Sequence, residues 1–360
     1  MLYLALQALK ANRLKTTLTF VSLFFSISSI FLVTSLSNGV ISMYSNMLQS
    51  DGDIIITQAN ISDTFFSDVD TTLVPKIEKL NGVKKVSAII VGASPIETLP
   101  IVAVYGISKN RFANYHLKDG TYPKSSEVLL GESIFENFKN EKYLHIAGKK
   151  FKISGVYKSD IGFENGGVLL NLEDAGAIFH KKASMLMVNS TINTDIWNIK
   201  KQIQDLSTAI QVKSTQNFID NYNQFKIIKT SSNLIASISF ILGLLSVVSI
   251  MSIIIHQRKS EFGIKKAIGI SSKQIILQII LESAILGVVS FFASLVFSFF
   301  LLHVIKSSAF FHGYINGEIT LELAFYIFLF SSFMTILGSI LPALNAAKVD
   351  PMILIQGERI

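Results

Sequence analysis

Polar and apolar positions follow two regimes along this chain. Four runs are almost unbroken in their apolar character, from about Thr17 to Val40, Ser231 to Ile255, Ile275 to Val304 and Leu321 to Leu341. Each holds roughly 20 or more residues with almost no charge, the length of a helix crossing a hydrocarbon core of roughly 30 Å. From about Ser45 to Lys229 the apolar stretches are instead short and regularly interrupted. The pattern predicts four transmembrane helices, one before and three after a large water-exposed domain. The first run is too long in its apolar core for a cleaved signal peptide, and no small-residue cleavage site follows it. Leu2 to Ala11 repeats its apolar positions near every 3.6 residues, which suits either a helix lying along the membrane interface or the start of the first span.

Inside the large domain the period shortens. Asp53 to Thr57 reads as a strand, Leu73 to Leu80 as a short helix and Val83 to Val91 as a strand. A similar unit returns as strand Ser184 to Val188, helix Thr194 to Leu206 and strand Ala209 to Val212, so the two halves are expected to share one mixed sheet. Between them Pro100 to Ile107, Glu127 to Leu130, Lys149 to Tyr157 and Gly167 to Leu170 read as strands. Gly120, Gly131, Gly148 and Gly162 are expected to supply their turns, giving a β-rich insertion. The expected class is an α+β membrane protein with an α/β domain outside the bilayer. Its expected parts are residues 1–44 (interfacial helix and first span), 45–229 (outer domain) and 230–360 (three spans, a loop at 256–274 and the C-terminus).

Charge sets the topology. Lys10, Arg13 and Lys15 precede the first span, five Lys or Arg residues lie between Arg258 and Lys273, and Lys348 and Arg359 follow the last span. The loop between the third and fourth spans carries only Lys306 and Glu318. By the positive-inside rule both termini and the 256–274 loop are cytoplasmic and the large domain is extracytoplasmic. The absence of cysteine means that no disulfide staples that domain, so an ordinary core must hold it. The net charge of +7 is spread between span flanks and the domain, which gives no support for nucleic-acid binding.

Catalytic chemistry is hard to find. Gly148-Lys149-Lys150 lacks the first glycine and the hydroxyl of a phosphate-cradling loop, so these residues are not expected to hydrolyse ATP. His116, His145, His180, His256, His303 and His312 are scattered without metal-ligand spacing, and no Gly-x-Ser-x-Gly elbow or thiol nucleophile is present. No cofactor or metal is expected.

The informative segment is His256 to Gly269, a charged stretch between two spans. Ile264, Ala267 and Ile268 share one helical face, Glu261 precedes Lys265 by four residues, and Gly269 is a stop signal. Ser271 with Gln274 forms a capping box that ties the loop to the third span. Glu282 lies about two turns into that span, where a carboxylate needs a partner. It either belongs to a force-transmitting cluster or snorkels to the interface beside a base such as Lys273. Pro342 breaks the fourth helix, as a terminus or as a hinge.

Arg258-Lys-Ser-Glu-Phe-Gly-Ile-Lys-Lys-Ala-Ile-Gly269, followed by Gln278 and Glu282, together with Leu341-Pro-Ala-Leu-Asn-Ala-Ala-Lys-Val-Asp-Pro351, resembles the core of FtsX-like ABC transporter permeases. That family includes MacB-type efflux and lipoprotein-releasing permeases, and the likeness extends to Ala8 to Thr19 and to the arrangement of spans. The resemblance implies a permease of the mechanotransmission kind in a bacterial cytoplasmic membrane, in which ATP-driven motion is relayed to the outer domain. The α/β unit and its insertion would then be porter-like and Sabre-like subdomains. The implied ATPase contact is Glu261, Phe262, Gly263, Ile264, Ala267 and Gly269, with Glu282 and Pro342 in force transmission. The implied partners are a separate cytoplasmic ABC ATPase, a second permease chain, membrane lipid and an extracytoplasmic or outer-membrane protein. The implied substrate is a drug, peptide or lipoprotein. A different class fits the same topology: a sensor or adaptor regulating an extracytoplasmic partner such as a cell-wall hydrolase.

Overall fold

A computed structural model describes residues 2–61, 63–159, 162–191, 195–307 and 317–348. The chain divides into two compact units. One comprises Met1–Ser37, Thr230–His303 and Gly317–Ile360, and the other comprises Asn38–Lys229 with Val304–Asn316.

The four expected spans lie mainly in the helical unit, on helices longer than their apolar cores. A short helix, Leu2–Ala11, precedes them. The spans are Arg13–Asp51, Asn223–Gln257, Ser272–Ser307 and Leu321–Ala347, each long and apolar enough to cross a bilayer. The first is 39 residues, roughly 58 Å at the helical rise per residue, because the polar residues flanking its apolar core also favour helix. Leu23, Ile27 and Phe31 of the first span meet Val247 and Met251 of the second, Leu286 and Phe291 of the third and Met334 of the fourth. Polar atoms add direction. Ser294 Oγ donates to the Phe24 carbonyl at 2.8 Å, and the Ser29 and Ser239 hydroxyls meet at 3.0 Å. At Gly287 a methyl group would lie 2.7 Å from Thr335 Oγ1, so only glycine permits this approach of the third and fourth spans.

The expected break at Pro342 does not occur: the fourth helix runs through it to Ala347. Ala343, next to the proline, and Ala346, one turn beyond it, are buried against Phe262, Ile275 and Ile279, and this packing holds the last turn in register.

The other unit is built on one mixed sheet of ten strands. They are β1 Ile54–Gln58, β2 Val83–Ile96, β3 Leu99–Ile107, β4 His116–Gly120, β5 Glu127–Gly131, β6 Tyr143–Ile146, β7 Lys149–Lys158, β8 Val168–Asn171, β9 Met185–Ser190 and β10 Ile210–Ser214. The order is β10-β1-β9-β2-β3-β8-β5-β7-β4, with β6 pairing β2 and β7. The β3–β8 and β5–β7 pairs are parallel and the others antiparallel. The expected insertion is therefore hydrogen-bonded into the same sheet through the β2–β3 hairpin and the β3–β8 ladder.

Side-chain alternation explains how the sheet is covered. Ile55, Ile89, Val91, Met185 and Met187 point to one face, where the end of the first long helix contributes Met47 and Leu48. Their neighbours point to the other face, which holds two clusters. Ile54, Ile56, Leu186 and Val188 pack with Ile199 and Ile203 of the helix Ile196–Gln204. Ile90, Val104, Val128 and Leu170 pack with Ala175 of the helix Leu172–Phe179, which the strand-rich reading did not anticipate. Burial on both faces accounts for strands that are apolar throughout.

Other expectations change in detail. Leu73 to Leu80 is a 3-10 turn, Thr71–Leu73, leading into the short helix Val74–Ile77. Gly120 and Gly148 adopt the left-handed φ of turns, +82° and +77°. Gly131 does not: with φ −69° it precedes a helix at Glu132–Phe135, and Gly162 opens the short helix Gly162–Asn165. The assignments to Thr194, His312, Pro351 and Arg359 lie outside the described residues.

Candidate functional site: the coupling helix and its charged ring

Between the second and third spans the chain makes one short helix, Lys259–Ala267. Gly269 stops it with φ +94°. The Ile270 N–H donates to the Lys265 carbonyl and the Gly269 N–H to the Lys266 carbonyl, both at 3.0 Å, so the last carbonyls are satisfied by a left-handed glycine cap. Two residues later the expected capping box closes. The Ser271 N–H donates to Gln274 Oε1 at 3.0 Å and the Gln274 N–H to Ser271 Oγ at 3.4 Å. The connection contains no slack linker: helix, glycine cap and next helix follow one another directly.

Side chains then join the coupling helix to the third span in a closed ring. Arg258, at the helix start, donates through Nε and Nη2 to Glu261 at 2.8 and 3.0 Å, and through Nη1 to Glu282 at 2.7 Å. Lys265 Nζ donates to Glu261 at 2.7 Å and to Gln278 Oε1 at 3.0 Å, and Gln278 Nε2 donates to Glu282 at 2.8 Å. Two cations, two carboxylates and one amide complete a ring with no net charge. Hydrogen bonds from Arg258, aided by Lys265 and opposed by partial burial, hold the Glu261 carboxyl down at about 2. Burial works against the Arg258 cation, yet the two carboxylates outweigh it and leave it more basic than usual.

The partner of Glu282 is Arg258 and not Lys273. Nine residues on a helix are about two and a half turns, so Lys273 and Glu282 lie on opposite faces, whereas Gln278 shares the face of Glu282. The charge at 282 did signal that a basic partner was required. Helical spacing excludes Lys273 but does not choose between Arg258 and Lys265, because that choice depends on how the coupling helix folds back.

The six residues expected to meet an ATPase divide into two groups. Phe262 is 1 % exposed, inserted among Ile255, Ile275, Ile279, Ala343 and Ala346, with the Arg258 guanidinium 4.9 Å above its ring. Gly263 is buried as well. Phe262 thus anchors the helix from within, since its large apolar face is better removed from water than displayed. Ile264 and Ile268 are 59 % and 74 % exposed, Ala267 and Gly269 are exposed beside them, and Glu261 lies at the margin. The fourth span joins from below: Lys266 Nζ donates to the Ala347 carbonyl at 2.5 Å, a cation on a helix C-terminus. Pro342 is buried in the same helix, next to Ala343.

Comparison with known proteins matches this layout. A family model described as MacB-like periplasmic core domain covers residues 16–206, and one described as FtsX-like permease C-terminal covers residues 233–351. The macrolide export ATP-binding/permease protein MacB of Escherichia coli is 23% identical over 390 residues, covering 99% of this chain and 60% of that protein. An uncharacterized ABC transporter permease of Methanocaldococcus jannaschii is 24% identical over 229 residues, covering 60% of this chain and 57% of that protein. The chain thus spans about three fifths of the length of these curated relatives. The periplasmic region of MacB from Actinobacillus actinomycetemcomitans aligns over 47% of this chain and 93% of that one, with 14% identity and a TM-score of 0.39. With four apolar helices, an extracytoplasmic α/β domain and both family regions in their expected order, the chain belongs to the FtsX-like ABC transporter permeases that carry a MacB-like periplasmic core domain.

Proposed function

We propose that this chain is the permease subunit of a mechanotransmission-type ABC transporter, driven by an ATPase on a separate cytoplasmic subunit. The observation carrying the reading is the ring at Arg258, Glu261, Lys265, Gln278 and Glu282, which joins the coupling helix to the third span while Ile264 and Ile268 remain uncovered. A push on the exposed face therefore moves the third span instead of bending a loop. Ile264, Ala267, Ile268 and Gly269 form the ATPase contact with Glu261 at its rim; Phe262 and Gly263 support it from inside. Glu282 and Pro342 transmit the displacement to the third and fourth spans. The work is done on the extracytoplasmic domain, to export or extract a drug, peptide or lipoprotein, with a second permease chain and an extracytoplasmic partner completing the assembly. The basic residues at 10, 13, 15 and 258–273 support cytoplasmic termini in a bacterial cytoplasmic membrane.

Affinity purification of the tagged full-length chain from gently solubilised native membranes tests this. The expected result is co-recovery of an ABC ATPase, lost when Ile264→Asp and Ile268→Asp are combined. Both side chains face water, so stability should change by no more than about 0.5 kcal/mol and membrane levels should be normal. Undiminished ATPase recovery by the double variant would overturn the contact assignment. Recovery of signalling proteins and no ATPase would favour a sensor.

A further inference from the structure

A second buried arginine lies in the sheet domain. Arg111 sits in the 3-10 turn Lys109–Asn114 between β3 and β4 and is 1 % exposed. Its Nε and Nη2 donate to both carboxylate oxygens of Asp51 at 2.7 and 2.6 Å, and Nη2 also donates to Glu164 at 2.6 Å. Nη1 donates to the Tyr115 hydroxyl, which in turn donates to Glu164 at 2.7 Å. Ser159 Oγ donates to the second Glu164 oxygen at 2.8 Å, and the Tyr157 hydroxyl donates to the Glu164 carbonyl.

The partners come from three places in the chain. Asp51 is the last residue of the long helix Arg13–Asp51, and no basic residue lies in that helix's last turn. An acidic residue there faces the negative end of the helix dipole, an arrangement that is unfavourable unless a cation is supplied from elsewhere. Glu164 belongs to the connection between β7 and β8, on the far side of the sheet order from β1, which follows Asp51. A bidentate guanidinium is directional in a way that an apolar contact is not, because sliding one partner breaks two short charge-assisted bonds at once.

We infer that Arg111 is a positioning residue that clamps the outer end of the first long helix to the β7–β8 connection, so that the two move as one body. Displacement of Asp51 is then delivered to Glu164 directly, bypassing the four strand-to-strand ladders between β1 and β8. The inference concerns the sheet domain alone and stands whether or not an ATPase drives the chain.

The absence of native cysteine allows a direct test in the full-length protein. Spin labels placed by Ser50→Cys and Lys158→Cys, both exposed positions flanking the clamp, report its rigidity as the width of one distance distribution. Labels at Lys79→Cys and Asp205→Cys, exposed in the other half of the sheet, report whether the domain is folded. Arg111→Lys keeps the charge and loses the fork, and Glu164→Gln keeps the shape and loses one charge. The expected result is that Arg111→Lys broadens the 50–158 distribution about twofold and Glu164→Gln broadens it less, while the 79–205 distribution is unchanged in both. If Arg111→Lys abolishes both distances, selective broadening of 50–158 by Glu164→Gln sustains the clamp. A 50–158 width unaltered in Glu164→Gln, together with either no change or global loss in Arg111→Lys, overturns it and leaves Arg111 with a purely stabilising role.

Discussion

The two buried arginines are built from the same parts and sealed to different degrees. Arg111 and Arg258 each bind two carboxylates, one of them on a long helix. Around Arg111 both carboxylates are almost fully enclosed, at 1% and 4% side-chain exposure. Around Arg258 one is enclosed, and the other, Glu261, is 43% exposed and shared with Lys265. The Arg111 cluster therefore sets one buried cation against two buried carboxylates, with Lys85 adding a more distant charge for Asp51. The Arg258 ring is neutral and open to water at Glu261, so loss of the arginine leaves one carboxylate solvated and only Glu282 buried without a cation. The sealed cluster suits a permanent joint, and the open ring suits a surface that a partner must engage.

The largest effect should follow from Arg111→Met, which strands two buried carboxylates. A loss of about 3–5 kcal/mol is expected, measured by unfolding of the sheet domain in the intact chain. Arg258→Met should cost less, about 2 kcal/mol, since Lys265 and water still serve Glu261 and only Glu282 loses its cation. Hydrogen exchange of the amides in Lys259–Ala267 should accelerate while the sheet domain is untouched. Equal costs for the two variants would end the comparison. The smallest effect is a pH dependence. With its pKa lowered from 4.5 to about 2, Glu261 contributes stability above its unfolded pKa, and this is lost as pH falls from about 4.5 through 2. Its exposure limits the amount to less than about 1 kcal/mol. Glu261→Gln should flatten the acid limb of coupling-helix protection over that window, and an unchanged limb would show that the ring's pH sensitivity resides elsewhere.

Local features were readable in advance. The Glu261–Lys265 pair, the glycine stop at 269 and the Ser271 capping box depend on residues within five positions of one another, where helical geometry leaves little choice. Eight of the ten strands are legible in the sequence for the same reason, most of them within two residues of their bounds; β4 and β6 are not. The helix Leu172–Phe179 has no counterpart in the sequence reading, which assigns no element between Leu170 and Ser184. Phe262 was assigned to the partner surface since it lies in the same motif as Ile264. A two-residue step on a helix is about 200°, which places Phe262 and Ile264 on different faces; only the fold shows that the face of Phe262 is the buried one.

Chain chemistry alone determined that four helices are long and apolar enough to cross a membrane, which orientation the flanking charges favour, and that a cysteine-free sheet domain must stand on its own core. Those properties follow from the length of apolar runs and the cost of moving charge across lipid, both of which are sums over neighbouring residues. Only the tertiary structure decided that Arg258 answers Glu282 across 24 residues, that Arg111 joins Asp51 to Glu164 across 60 and 53, and that the fourth helix continues through Pro342. Each of these is a contact between segments distant in sequence. Its energy depends on burial and direction, which no local pattern encodes.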